Sequence, residues 1–259
     1  GILLELIWEQ KEIPSNIELN KITENAKEKH PFNVDYIQKF DIISVITNEV
    51  IESKIGIFLP IDRKHTEAII YHNGHGEDPE IEIRCINRLL SEGFIVIRIH
   101  MPLRGENPMP EYHFPLMGKI KIENHEVLSF FPNAYLSYFT PIRASIEYVK
   151  KNYQVEKFHM MGLSGGGWTT QLYAAMDTTI KRSYSIAGSV PIEYRFISPY
   201  DWGDAEQNDP RIFSKISYPE IYVLGAYGNE RSQIHILNQY DPCCFQAIAG
   251  KYYKKAICE

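Results

Sequence analysis

Cysteine is scarce in this chain of 259 residues: Cys85, Cys243, Cys244 and Cys258 form neither a CxxC pair nor a regular framework. The four read as reduced structural thiols, since the adjacent Cys243 and Cys244 would close only a strained local bridge if oxidised. Long apolar runs are missing too. None approaches the roughly 18–20 residues needed to span a bilayer, so the sequence contains no complete transmembrane helix. Basic residues are in the minority, 27 Lys and Arg against 33 Asp and Glu, for a formal net charge of −6. A polyanionic nucleic-acid partner therefore has no electrostatic support. What is present is ordinary globular composition, 44% hydrophobic and 23% charged. The length suits one large α/β domain with a deep core and is short for two.

The first eight residues, Gly1 to Trp8, carry no initiator Met. They read either as the remnant of a longer trimmed segment, a signal or anchor, or as an amphipathic helix packing on the domain. The thiols favour a reducing compartment, while a trimmed leader would allow secretion or tethering, so localisation stays open. Residues 1–40 read as an arm or helix, followed by a domain over 41–259. Two β-rich runs at 41–47 and 54–60 predict a leading antiparallel pair. A regular alternation follows: strand 67–71, helix 79–92, strand 94–99, a long proline-bearing loop, helix 135–152, strand 157–161, helix 165–176 and strand 182–187. Strand–helix–strand at this spacing predicts a mostly parallel twisted sheet flanked by helices on both faces. Residues 188–219 lose periodicity and read as a cap-like insertion. A strand at 220–225, a helix at 231–237 and a helical or mixed tail complete the reading.

Chemistry concentrates at Gly162-Leu163-Ser164-Gly165-Gly166. A short apolar strand, a tight Gly-rich turn and a helix opening at Gly165 are what a nucleophile elbow requires, with Ser164 projecting its Oγ into a cleft. The free N–H groups at the helix start favour developing negative charge, which makes the Gly165 amide the first oxyanion donor. A phosphate loop is the rival, because Gly162 and Gly167 match its spacing. It fails at Trp168, where the phosphate-binding lysine would stand, and no GxGxxG occurs at a first βα turn.

After the strand at 67–71 comes His72-Asn73-Gly74-His75-Gly76-Glu77-Asp78. A loop here supplies the second oxyanion donor, and the main-chain N–H of His75, or of Gly74, is the expected group. The competing reading takes His72, His75, Glu77 and Asp78 as metal ligands. It is set aside because the stretch cannot put both histidines on one helix face, so neither a metal nor an organic cofactor is expected. His30, His65, His100, His113, His125 and His159 read as surface or hydrogen-bonded core residues.

The triad is less legible. Asp241 ranks first as its acid and Glu230 second, while Asp201, Asp204 and Glu206 lie in the cap-like segment. The single histidine after Ser164 is His235, in a stretch that reads as helix. It stays open as a base, paired with Glu230, and so does a base lying beyond Glu259 in a longer chain.

Through HNGHG, GLSGGGW and the alternating strands, the sequence resembles the α/β-hydrolase superfamily from about 41 to 241, with an elbow and loop similar to those of acetyl-esterase-like and prolyl-oligopeptidase-like bacterial hydrolases. The resemblance implies an acyl-enzyme on Ser164 and a small-molecule ester substrate, an acylated sugar among the options, in preference to an amide. Tyr194, Phe196, Tyr200 and Trp202 are the candidate pocket lining. A silent binding protein on the same fold and a peptidase or acyltransferase variant remain the alternatives.

Overall fold

The computed structural model describes residues 1–26, 34–76, 78–197, 202–241, 245 and 247–258. Helix α1 (Ile2–Trp8) buries Leu3, Ile7 and Trp8 in the main core. Strand β1 (Lys21–Thr23) then pairs antiparallel with β2 (Ile37–Thr47), which forms a long antiparallel hairpin with β3 (Ile51–Pro60). The chain continues through β4 (Glu67–His72), α2 (Pro79–Ser91), β5 (Ile95–Ile99) and a small hairpin of β6 (Glu111–Phe114) and β7 (Gly118–Lys121). It ends with α3 (Leu136–Tyr153), β8 (Lys157–Leu163), α4 (Gly165–Met176), β9 (Ile180–Ile186), α5 (Pro210–Phe213), α6 (Tyr218–Ala226), β10 (Ser232–Ile236) and α7 (Ala247–Cys258).

Eight strands form one sheet in the order β1-β2-β3-β5-β4-β8-β9-β10. Pairings are antiparallel up to β3–β5 and parallel from β5 through β10. The period-2 geometry of a strand sends successive side chains to opposite faces. Ile57, Ile70 and Ile97 therefore face the core beneath α3 and α4, whereas Phe58, Tyr71 and Val96 face α2 with Ile86 and Leu90. Helices thus cover both faces, and parallel strands buried on both sides read as nearly continuous apolar runs. Trp168 of α4 is fully buried against Tyr135, Tyr138 and Phe139, which anchors the helix behind the elbow.

Two expectations are corrected here. Residues 220–225 are not a strand: they lie in α6, where Ser217 Oγ accepts a hydrogen bond from Glu220 N–H, the Glu220 carboxylate accepts one from Ser217 N–H, and Pro219 sits in the first turn. Residues 231–237 are not a helix, because the alternating Ser232-Gln233-Ile234-His235-Ile236 is β10, parallel to β9. The β6–β7 hairpin was not foreseen in the loop after β5.

Candidate active site

Ser164 occupies the turn between β8 and α4 with φ 54° and ψ −122°. A non-glycine residue with positive φ outside a helix is strained, and it persists only when its surroundings hold it. Here its N–H donates to Ile186 O at 2.8 Å, and its carbonyl accepts from Trp168 N–H at 3.0 Å. The residue is half-buried, at the positive end of α4.

The loop after β4 lies directly against it. A Cβ on Gly74 would stand 2.6 Å from the Leu163 carbonyl oxygen and 2.8 Å from Ser164 Cβ, so only glycine allows the two backbones to approach so closely. A buried polar network holds the loop from below. Asn73 N–H donates to Ile99 O at 2.9 Å, and Asn73 Nδ2 donates to Glu82 Oε2 at 2.7 Å. Glu82 also accepts from Arg98 Nη1 at 3.3 Å, and Arg98 Nη2 stands 2.9 Å from Glu106. Burial raises the Glu82 carboxyl above its ordinary value despite Arg98. Burial likewise lowers His72 to about 4 and His100 to about 3, so both imidazoles are neutral near pH 7. Asp78, once considered as a ligand, caps α2 by accepting from Glu80 and Ile81 N–H groups. Glu77, from the same reading, lies outside the described residues.

His75 brings a second feature to the elbow. Its ring stands 2.7 Å from where a Cβ on Gly165 would be, so it borders the start of α4. It stacks on His125 with ring centroids 4.1 Å apart. His125 comes from the 3-10 turn His125–Phe130, and Asp204 and Glu206 come from the capped turn around Ala205–Gln207. His75 Nδ1 is 3.2 Å from Asp204 Oδ2, and its Nε2 is 3.3 Å from Glu206 Oε1. His125 Nε2 is 3.5 Å from Asp204 Oδ1 and 3.8 Å from Glu206 Oε2. Burial disfavours the His75 imidazolium, but the facing carboxylates outweigh it and raise the ring to about 9. Burial also opposes ionisation of Asp204, yet His125 and His75 hold that carboxyl well below its ordinary value. The four donors lie within 4.8 Å of one another, a set that can hold a metal ion.

The structure brings Ser164, Gly165, Gly74 and His75 together and separates the other candidates. Asp241 follows β10 at the same end of the sheet as Ser164, half-buried and accepting from Asn238 Nδ2 at 3.4 Å. Glu230 precedes β10 and pairs with Lys157 Nζ at 3.2 Å, at the start of β8 and the opposite end of the parallel strands. It cannot serve as the acid from there. His235 is a strand residue in register with Ser185. Its ring packs edge-on against Tyr222 at 4.2 Å, and its Nε2 is 2.8 Å from Gln233 Oε1. Burial lowers it to about 4, and its contacts are with the α6 face, not with Ser164 or Glu230. Tyr194 stacks on Tyr252 and packs at a tilt against Tyr253 of α7. Trp202 is half-exposed, with its carbonyl accepting from Arg195 and Asn208. Tyr200, Asp201 and the Phe196 side chain lie outside the described residues. Sequence reasoning missed His125 as a site residue, and no spacing signal links it to His75 or Asp204.

No family model matches the sequence, and no curated protein matches it. Solved structures do. Est1E from Butyrivibrio proteoclasticus aligns with a TM-score of 0.53 at 18% identity, over 83% of this chain and 84% of that one. The Pyrococcus furiosus esterase Pf2001 aligns with a TM-score of 0.58 at 11% identity, over 96% and 85%. An S-formylglutathione hydrolase from Agrobacterium tumefaciens aligns with a TM-score of 0.58 at 12% identity, over 93% and 86%. At these identities the likeness concerns the fold, which is that of the α/β-hydrolases.

Proposed function

We propose that the chain is a serine hydrolase that cleaves a carboxylic ester through an acyl-enzyme on Ser164. The observation that carries this reading is the strained torsion pair of Ser164 on the turn between β8 and α4, with the Gly74 backbone pressed against it. Ser164 Oγ attacks the ester carbonyl, and the amides of Gly165 and His75, with Gly74 as the alternative second donor, receive the oxyanion. The alcohol leaves with a proton, and water then releases the acid and restores the serine. Asp241 is the acid at the correct end of the sheet. His235 is not placed to serve as the base, because its ring is engaged with Tyr222 and Gln233. That the neighbours include esterases supports an ester in preference to an amide. The half-exposed Trp202, in the excursion that supplies Asp204, suits a small ester such as an acylated sugar.

The position of His235 favours a second reading, a binding protein on this fold without turnover. A fluorophosphonate probe separates the two. Labelling at one site that is lost in Ser164→Ala, together with hydrolysis of p-nitrophenyl acetate by the unaltered protein, supports the hydrolase. An unaltered chain that never labels supports the binding protein.

A further inference from the structure

We propose that His75, His125, Asp204 and Glu206 form a site for one divalent transition-metal ion of the zinc type, which fastens the 202–209 segment to the loop beside Ser164. The site draws on three separate segments, and each residue offers one ligand atom within 4.8 Å of the others. Tetrahedral ligands at zinc bond lengths stand about 3.3–3.6 Å apart. Both imidazoles approach both carboxylates to 3.2–3.8 Å; His75 faces Asp204 with Nδ1 and Glu206 with Nε2, so only one of its two contacts is a ligand-to-ligand spacing.

Burial and bond geometry argue against a cluster held by protons alone. The side chains of His125 and Glu206 are only 7% and 6% exposed. Both ring nitrogens of His75, both of His125 and Glu206 Oε1 are buried without a hydrogen-bond partner of acceptable geometry. Imidazoles paired with carboxylates by protons would aim N–H groups at the oxygens, and buried polar groups are rarely left unsatisfied. Here one ligand atom from each of the four residues lies within 4.8 Å of the others instead. Two carboxylates supply two negative charges, which a divalent cation neutralises with both imidazoles uncharged. Two nitrogens and two oxygens suit zinc better than calcium or magnesium, which favour all-oxygen shells. One nitrogen of His75 binds the ion while the other stays against a carboxylate, an outer contact common to metal-bound histidines.

The ion would act as a positioning group. His75 contributes its ring to the metal while its main chain lies beside the elbow, so the ion fixes the loop and the excursion together.

The test uses the full chain without a histidine tag and does not depend on turnover. Elemental analysis and calorimetric titration of EDTA-treated protein with zinc chloride should give about one zinc per chain, and zinc should raise Tm by several degrees. Asp204→Asn, at a partly exposed position that tolerates an isosteric change, and His125→Gln should each weaken zinc binding at least about tenfold. His113→Gln, an exposed histidine outside the cluster, should bind as the unaltered chain does. Equal zinc binding by the unaltered chain and D204N, or a Tm indifferent to zinc and to EDTA, overturns the proposal. Because metal content and Tm are read directly, failure here leaves the ester reading untouched, and absence of turnover leaves this one untouched.

Discussion

At Ser164 the backbone does work that no side chain could replace, and the cost appears at its neighbours. A Cβ on Gly162 would stand 2.1 Å from Gly166 O and 2.3 Å from Gly166 C, both backbone atoms of the turn. Neither can swing aside as a side chain would, so Gly162→Ala must displace the elbow itself. We expect a loss of about 1–3 kcal/mol in stability, the usual range for overpacking, accompanied by loss of fluorophosphonate labelling. Gly76 is the contrast within the same site, because nothing lies within 4 Å of its built Cβ. Gly76→Ala should fall within about 0.5 kcal/mol of the unaltered chain. Urea titration of both variants checks the pair, and equal midpoints would contradict the close approach inferred at Gly162.

Among the elements, α2 links the sheet to the loop after β4. Asp78 Oδ1 accepts from Glu80 N and Ile81 N at 3.1 Å each, and four residues on Glu82 holds Asn73. Asp78→Ala should lower stability by about 1 kcal/mol, and Asp78→Ser should recover most of it, measured as the urea midpoint at constant m. This helix was legible because Asp78-Pro79 marks its start and its apolar positions repeat at helical spacing. The late elements were not. Ile221-Tyr222-Val223-Leu224 is rich in residues that favour strands, and it folds as α6 because Ser217, Pro219 and Glu220 determine its start. Once α6 takes that stretch, the edge of the sheet passes to β10, and His235 becomes a packed strand residue. The turn from β8 through Ser164 into α4 was readable since its signals are local, a strand, a serine among glycines and a helix in succession. The cluster of His75, His125, Asp204 and Glu206 was unreadable for the opposite reason: its members lie on three distant segments that only tertiary packing brings together.

Across the whole molecule, buried histidines set the response to acid. Burial lowers His72 to about 4, His100 to about 3 and His235 to about 4, against an ordinary value of 6.5. A histidine with a lowered folded pKa takes up its proton first in the unfolded chain, so falling pH favours unfolding. The loss begins below about pH 6.5 and saturates near the folded values. Each pKa unit corresponds to 1.36 kcal/mol, so the shifts amount to at most about 3 kcal/mol for His72 and for His235 and about 5 kcal/mol for His100. Even a fraction of that is large beside the roughly 5–15 kcal/mol stability of a typical protein. Asp41, lowered, adds its loss only below the ordinary carboxylate range. Glu82, raised by burial, takes up its proton first in the folded chain and offsets part of this, and stability should still decline between about pH 6.5 and 4. His235→Gln should make that decline shallower while leaving the loss below pH 4 in place, because it removes one titrating group and no carboxylate. Urea midpoints for both proteins at half-unit steps of pH test this. A flat profile from 6.5 to 4 in the unaltered chain would mean that these imidazoles are hydrated in the native state.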